Sequence, residues 1–261
     1  MPELLNSPHV WLLNVCRLSC GFCQGLAPAW DAVAQRLRQE IHVAYWDAEL
    51  HGRPPTVLGE VNATPTIRAF VPRALSDGSS MHHVEYEGDR SSADLTHFAR
   101  ALVPDLVEPV VDEATWARLE ERAAARRLPR LLLFSGRAAN ASTPPILRAV
   151  SSAFATRALV AELRIHPTAP GTAALTTGAH FAMPRKLPAA CIIPHHHASM
   201  SCLDEAPTYA RLAALIEEGI LVAQDAGASP SSLSGVEGGP EEGHGKGASE
   251  SGVARALKDD L

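Results

Sequence analysis

The chain has 261 residues, 46% of them hydrophobic, with a formal net charge of −6. That is apolar material for a real core and length for two domains of ~100–150 residues, and the acidic balance gives no reason to expect nucleic acid, whose binding calls for a basic surface. No apolar run approaches the roughly 20 residues of a bilayer span, and five cysteines are too few and too scattered for a disulfide-stapled scaffold.

Val10 to Cys16 is a short apolar run and reads as a buried strand. Cys20 to Arg38 reads as a helix whose apolar stripe is Leu26, Trp30, Val33 and Leu37, with Pro28 expected to kink it. Ile41 to Trp46 is a second strand, and the segment from Pro54 to Val61 a short helix that tolerates proline in its first turn. Thr66 to Val71 and His82 to Tyr86 are strands, with a hairpin turn expected over Ser76 to Ser80. Ser91 to Leu102 closes the unit as a helix with Leu95, Phe98 and Leu102 inward and Ser91 or Ser92 as its N-cap.

After Pro109 a second unit follows: helix from Trp116 to Arg127, strand from Arg130 to Ser135, helix from Pro144 to Thr156, strand from Ala158 to Ile165, strand from Ala189 to Pro194, helix from Thr208 to Ala223. The Ala, Thr and Gly-rich stretch from Pro167 to His180 reads as a surface loop. From Gly227 onward Gly, Ser, Pro and Glu leave little to bury, so residues 227–261 read as a disordered tail.

The chemistry concentrates at Cys20-Gly21-Phe22-Cys23. Cys20 falls at a helix N-terminus, where free N–H groups and the macrodipole favour a thiolate, which is the nucleophile. One turn later Cys23 comes within disulfide range, so Cys20 attacks a substrate disulfide and Cys23 resolves the mixed disulfide. Gly21 leaves the approach open on one side and Phe22 makes the other apolar. Structural zinc needs four ligands, usually two such cysteine pairs; no second pair exists here, and His195-His196-His197 beside Cys191 reads as a solvated loop. No metal and no cofactor is expected. Cys16 reads as a buried core thiol, with a regulatory reaction at Cys20 as the alternative. Cys191 reads as core and Cys202 as free, with pairing between them left open. Asp47, at the end of the second strand, reads as an exposed carboxylate. Of two glycosylation sequons, Asn140-Ala141-Ser142 is the better placed; Asn62-Ala63-Thr64 abuts proline.

Context adds to the tetrapeptide. Cys-Gly-Phe-Cys followed by Leu26-Ala27-Pro28-Ala29-Trp30 resembles the Cys-Gly-His-Cys and Leu-Ala-Pro-Glu-Trp segment of protein disulfide isomerases, in the thioredoxin superfamily. Tyr86-Glu87-Gly88-Asp89-Arg90, with Leu95 and Phe98 behind it, is similar to the end of their catalytic domains, and Ala63-Thr64-Pro65 sits where their cis-proline loop lies. The resemblance covers residues 9 to about 103. It implies an α/β chain of two thioredoxin-like domains in tandem, each a mixed sheet flanked by helices: residues 1–107 catalytic, residues 108–226 redox-silent because Gly136 to Asn140 hold no cysteine, then the tail. It implies that Thr64 and Pro65 bind a substrate strand, that Leu187-Pro188 is a second cis-proline, and that Arg90 approaches the site and lowers the pKa of Cys23.

Three departures bear on the chemistry. The motif histidine is Phe22, the tryptophan before the first cysteine is Ser19, and the buried glutamate of the preceding strand is Asn14, whose amide cannot take a proton. The first and third of these predict a Cys20 pKa above that of a Gly-His motif, a more reducing site and slower isomerisation, with Arg17 as a compensating charge. The expected function is a thiol–disulfide oxidoreductase that forms, reduces or rearranges disulfides in client proteins. The rivals are a non-enzymatic escort that traps secretory clients and a cytosolic thioredoxin-like reductase. Met1-Pro2-Glu3 does not open a secretory leader, yet Lys258-Asp259-Asp260-Leu261 is one methylene from the Lys-Asp-Glu-Leu retrieval signal. The endoplasmic reticulum lumen is therefore expected, with a retrieval receptor as partner and an N-terminus that extends beyond this sequence; the cytoplasm is the alternative.

Overall fold

The structure is a computed structural model. It describes residue 4 and residues 7–72, 82–138, 140–165, 184–195 and 199–227. The turn expected at Ser76 to Ser80, the loop from Pro167 to His180, His196, His197 and the tail beyond residue 227 lie outside the described residues.

The first sheet is built from β1 (Trp11–Cys16), β2 (His42–Asp47), β3 (Thr66–Val71) and β4 (His82–Glu85), in the order β2-β1-β3-β4. β1 and β2 run parallel; β3 is antiparallel to both β1 and β4. Two helices pack on it, α1 (Gly21–Leu37) and α2 (Ser92–Ala101). The period-2 alternation of β1 explains why one strand serves two cores. Leu12 joins Leu26, Trp30, Val33 and Leu37 of α1 and Leu95 and Ala99 of α2. Leu13 and Val15 point the other way, to Leu58 and Phe70. Each such fully buried side chain contributes ~1.5–3 kcal/mol. α1 runs through Pro28, and Ser91 Oγ caps α2 by accepting from Asp94 N–H at 3.1 Å. The inward face of α2 is Leu95, Thr96 and Ala99, while Phe98 and Leu102 are only partly buried. The helix expected from Pro54 to Val61 is a single 3-10 turn, Thr56–Leu58, ended by Gly59 at φ 85. A Cβ there would lie 2.7 Å from Arg68 Nη1, so this position requires glycine.

The second sheet has the order β5-β7-β6-β8-β9, from β5 (Glu108–Val110), β6 (Arg130–Ser135), β7 (Leu159–Arg164), β8 (Ala189–Ile193) and β9 (Ser201–Cys202). Its helices are α3 (Glu113–Arg126), α4 (Pro145–Ala153) and α5 (Tyr209–Gly227). β7 is parallel to β5 and β6, and β8 is antiparallel to β6 and β9. One face packs Leu131, Leu133, Leu147, Val150 and Leu212; the other packs Trp116, Leu119, Leu132 and Phe134. Two strands escaped the sequence reading. β5 carries Pro109, which an edge strand tolerates, and β9 is two residues long. α3 begins three residues earlier than its apolar stripe because Asp112 and Thr115 form a capping box.

β9 also corrects the reading of its cysteine. Cys191 and Cys202 are direct cross-strand partners and are joined in a disulfide. In the chain-entropy account so short a loop contributes about 2–3 kcal/mol.

His9, just before β1, is hemmed in by His42 and by Tyr209 of α5, with ring centroids 4.8 and 5.5 Å away. Burial first, then the charge of His42, pushes the His9 pKa down to about 4 from 6.5. The unfolded chain therefore binds more protons than the folded one between those values, so stability is fully present above pH 6.5 and is lost as pH falls toward 4. His9→Gln is expected to remove on the order of 1–2 kcal/mol of that acid sensitivity, read as urea midpoints at neutral and mildly acidic pH.

Candidate functional site: three cysteines at a strand end and a helix start

β1 ends on Cys16, the chain turns with Cys20 N–H donating to the Arg17 carbonyl at 3.1 Å, and α1 starts with Cys20 at its N-cap. The turn is tight because an apolar strand must hand over to an amphipathic helix lying on the same sheet face. Cys16 shares that face with Leu12 and Asn14 and is fully buried. Cys23, one turn into α1, is buried at 6% exposure and faces β1. Strand end and first helical turn thus bring Cys16 and Cys23 to a Cα separation of 5.8 Å, and the two are joined in a disulfide. Cys20 is a free, partly exposed thiol. Cys16 is accordingly the partner of Cys23 in this structure, in place of the Cys20–Cys23 bond and the free core thiol that the spacing led us to expect.

Around Cys20 stand the other expected residues. The Thr64-Pro65 peptide is cis, and the Thr64 carbonyl lies 3.5 Å from Cys20 Sγ. Pro65 is buried at the start of β3, and Arg90 Nη2 donates to its carbonyl at 3.4 Å. Arg90 thus meets the cis-proline loop; Cys23, for which it was expected, carries no titrating thiol in this disulfide. Gly21 has open space where a Cβ would sit, and Phe22 is 78% exposed. Leu18 is exposed too, so an apolar rim flanks the thiol. Leu187-Pro188, before β8, is also cis.

The Cys20 pKa lies below the ordinary thiol value. The Thr64 side chain contributes most, then the Cys23 backbone; desolvation opposes them, and the Phe22 backbone and the Arg17 charge add to the lowering. A carbonyl acceptor alone would favour the neutral thiol, so the lowering is the work of donors at the helix start and in the loop. Because the thiolate is the reactive form, alkylation of Cys20 rises at lower pH than for a free cysteine. Thr64→Val is expected to move that profile to higher pH by more than Arg17→Ala does, measured as iodoacetamide rates against pH.

Asn14 is 2% exposed, and its Oδ1 lies 3.2 Å from Cys16 Sγ, which makes it the acceptor for Cys16 when that residue is a thiol. Ser19 is tied to Glu49: its N–H donates to Oε2 at 3.2 Å and its hydroxyl to Oε1. Asp47 is buried, contrary to its reading as an exposed carboxylate, because its Oδ1 accepts from the N–H groups of Glu49 and Leu50 at 2.8 and 3.3 Å. Arg68 was missed as well. It is 6% exposed, donates to the carbonyls of Leu58 and Glu60, and pairs with Glu85 at 2.7 Å, fixing the loop that leads to Thr64. A charged residue inside an otherwise apolar strand was its signal.

The second sheet has Ser135 at the end of β6, the position that Cys16 takes on β1. Ser135 Oγ donates to the fully buried Glu162 at 2.7 Å, and Arg164 pairs with Glu162 at 2.8 Å. Among the described residues no group of three or more His, Cys, Asp or Glu could hold a metal ion. No described helix is long and apolar enough to cross a membrane. Asn140 is exposed in a turn.

No family profile matches the chain. It is 30% identical over 119 residues to the protein disulfide-isomerase A6 homolog of Drosophila melanogaster, a match that covers 43% of this chain and 26% of that protein. It is 34% identical over 102 residues to the corresponding homolog of Caenorhabditis elegans, covering 38% of this chain and 21% of that one. The matched part is thus about a quarter of each relative's length. In structure it is similar to the crystal structure of ERdj5 form II, with a TM-score of 0.54 at 18% identity, over 78% of this chain and 26% of that one, which establishes the thioredoxin-like fold.

Proposed function

We propose that this chain, which belongs to the protein disulfide-isomerase family of the thioredoxin superfamily, is a thiol–disulfide oxidoreductase acting on client polypeptides. The observation that carries the reading is Cys20 itself: a free thiol with a lowered pKa at a helix start, against a cis-proline loop, with a second cysteine one turn behind it. Cys20 attacks a client disulfide, and the client leaves on its second sulfur. Cys23, when reduced, attacks Cys20 Sγ and releases the client as a dithiol. Thr64 and Pro65 offer backbone to a client strand, Arg90 holds that loop, and the apolar rim of Leu18 and Phe22 meets unfolded chain. Electrons pass between thiols, so no cofactor or metal takes part.

Residues 1–107 form the catalytic domain in this reading, residues 108–226 a redox-silent thioredoxin-like domain, and residues 227–261 a tail. Two disulfides fit an oxidising compartment. Together with Lys258, Asp259, Asp260 and Leu261 they favour the endoplasmic reticulum lumen, with a retrieval receptor as partner. The test is insulin reduction with a recycling thiol. Turnover well above the uncatalysed rate is the expected result; none, with no mixed disulfide formed, would sink the proposal. A second reading, an escort that holds clients covalently, is favoured by one observation: Cys23 is engaged by Cys16 while Cys20 is free. It predicts persistent mixed disulfides with little turnover.

A further inference from the structure

We infer that Cys16 is a third redox cysteine, which takes over the disulfide of Cys23 and leaves Cys20 reduced in the oxidised protein. The inference rests on the oxidoreductase reading above and adds to it a storage site for the oxidising equivalent. Cys23 is the shared member. It lies one helical turn from Cys20, where side chains three apart are neighbours at about 5–6 Å between Cβ atoms, and it is bonded to Cys16 across the strand–helix junction.

The exchange needs no outside oxidant. When Cys23 has resolved a client, the site holds a Cys20–Cys23 disulfide and a Cys16 thiol. Cys16 loses its proton and attacks Cys23 Sγ. The Cys16–Cys23 bond forms, the Cys20–Cys23 bond breaks, and the electron pair leaves on Cys20 Sγ, which keeps it as thiolate or takes up the proton. One disulfide is present before and after. The direction follows from leaving-group chemistry: the sulfur best stabilised as a thiolate is the one set free. Cys20 is that sulfur, with donors around it, whereas Cys16 is fully buried. Among the described residues, the Asn14 amide oxygen stands 3.2 Å from the Cys16 sulfur as its acceptor.

Two consequences separate this site from a plain dithiol. The oxidised protein retains its nucleophile, so it still captures client disulfides. Release is then withheld, because Cys23 has no thiol to give until the Cys16–Cys23 bond is reduced. That bond is buried on both sides, at 0% and 6% exposure, and Cys20 is held by the client, so an external thiol reductant has to reach the bond before Cys23 can resolve the client. The state of Cys16 thereby sets how long a client stays bound.

Arg17 makes the inference readable by mass. Trypsin cuts after it, so Cys16 leaves in peptide 1–17, while Cys20 and Cys23 leave together in peptide 18–36. The full chain is oxidised with oxidised glutathione, its free thiols are blocked with N-ethylmaleimide, and it is digested unreduced. The expected result is peptides 1–17 and 18–36 cross-linked, with the maleimide on Cys20. A loop within peptide 18–36 and the maleimide on Cys16, or a link from Cys16 to Cys20, overturns the inference. In a second measurement, client mixed disulfides of the oxidised wild type are expected to outlive those of Cys16→Ser several-fold; equal lifetimes also overturn it. An intra-peptide loop together with full insulin turnover refutes this inference alone. Absent turnover and absent capture refute the oxidoreductase reading beneath it.

Discussion

Cys20→Ala is expected to lower insulin reduction to the uncatalysed rate and to abolish every client mixed disulfide. In the proposed function the partly exposed thiol at the start of α1 is the nucleophile, and the other four cysteines stand in disulfides that are buried or lie on the second sheet. None of them replaces it, because attack needs a thiolate at the surface. Cys23→Ala separates attack from release. Cys20 still captures clients, but nothing resolves them, so mixed disulfides accumulate on non-reducing gels while turnover falls to the same floor. Retained turnover in Cys20→Ala would place the nucleophile elsewhere. Loss of both capture and turnover in Cys23→Ala would make Cys23 a structural residue.

The second large effect is expected far from any thiol. Arg164→Met should destabilise the protein by about 3 kcal/mol or more, since removing one partner of a buried ion pair strands the other charge. Glu162 has no exposure at all, and Arg164 donates to its Oε2 from both Nε at 2.9 Å and Nη2 at 2.8 Å. Ser135 remains at 2.7 Å and Arg137 at 3.5 Å, neither of which neutralises the carboxylate as closely. The double variant Glu162→Gln/Arg164→Met should recover much of the loss, because the stranded charge is then gone. Urea midpoints of the wild type, the two single variants and the double variant measure this. A loss under about 1 kcal/mol for Arg164→Met would mean that water or the neighbours already carry the charge.

Much of the site was legible because its signals are local. The helix start at Cys20 follows from the apolar stripe behind it, and the positions of Thr64-Pro65 and Leu187-Pro188 follow from a proline directly before a strand. The long strands and helices were legible for the same reason: their period-2 and 3.6-residue patterns need only a few consecutive residues. What was missed is non-local or very short. β5 and β9, three and two residues long, are too brief to show a period, and each exists only because a partner strand offers hydrogen bonds. Asp47 reads as solvated in the sequence because no periodic pattern shows that the backbone of its own turn encloses it.

The amino-acid sequence by itself determined that this is a mixed α/β chain with a Cys-Gly-Phe-Cys segment at the start of a helix. Spacing, capping and patterning act over one or two turns, and those were all that such a conclusion required. Only the tertiary structure decided which sulfur Cys23 faces. Cys20 is the nearer in sequence, but β1 and α1 pack on one sheet face, and that packing sets the end of the strand against the first turn of the helix. A bond across that junction is a property of how the two elements lie on each other. Seven residues of separation in the chain carry no trace of it.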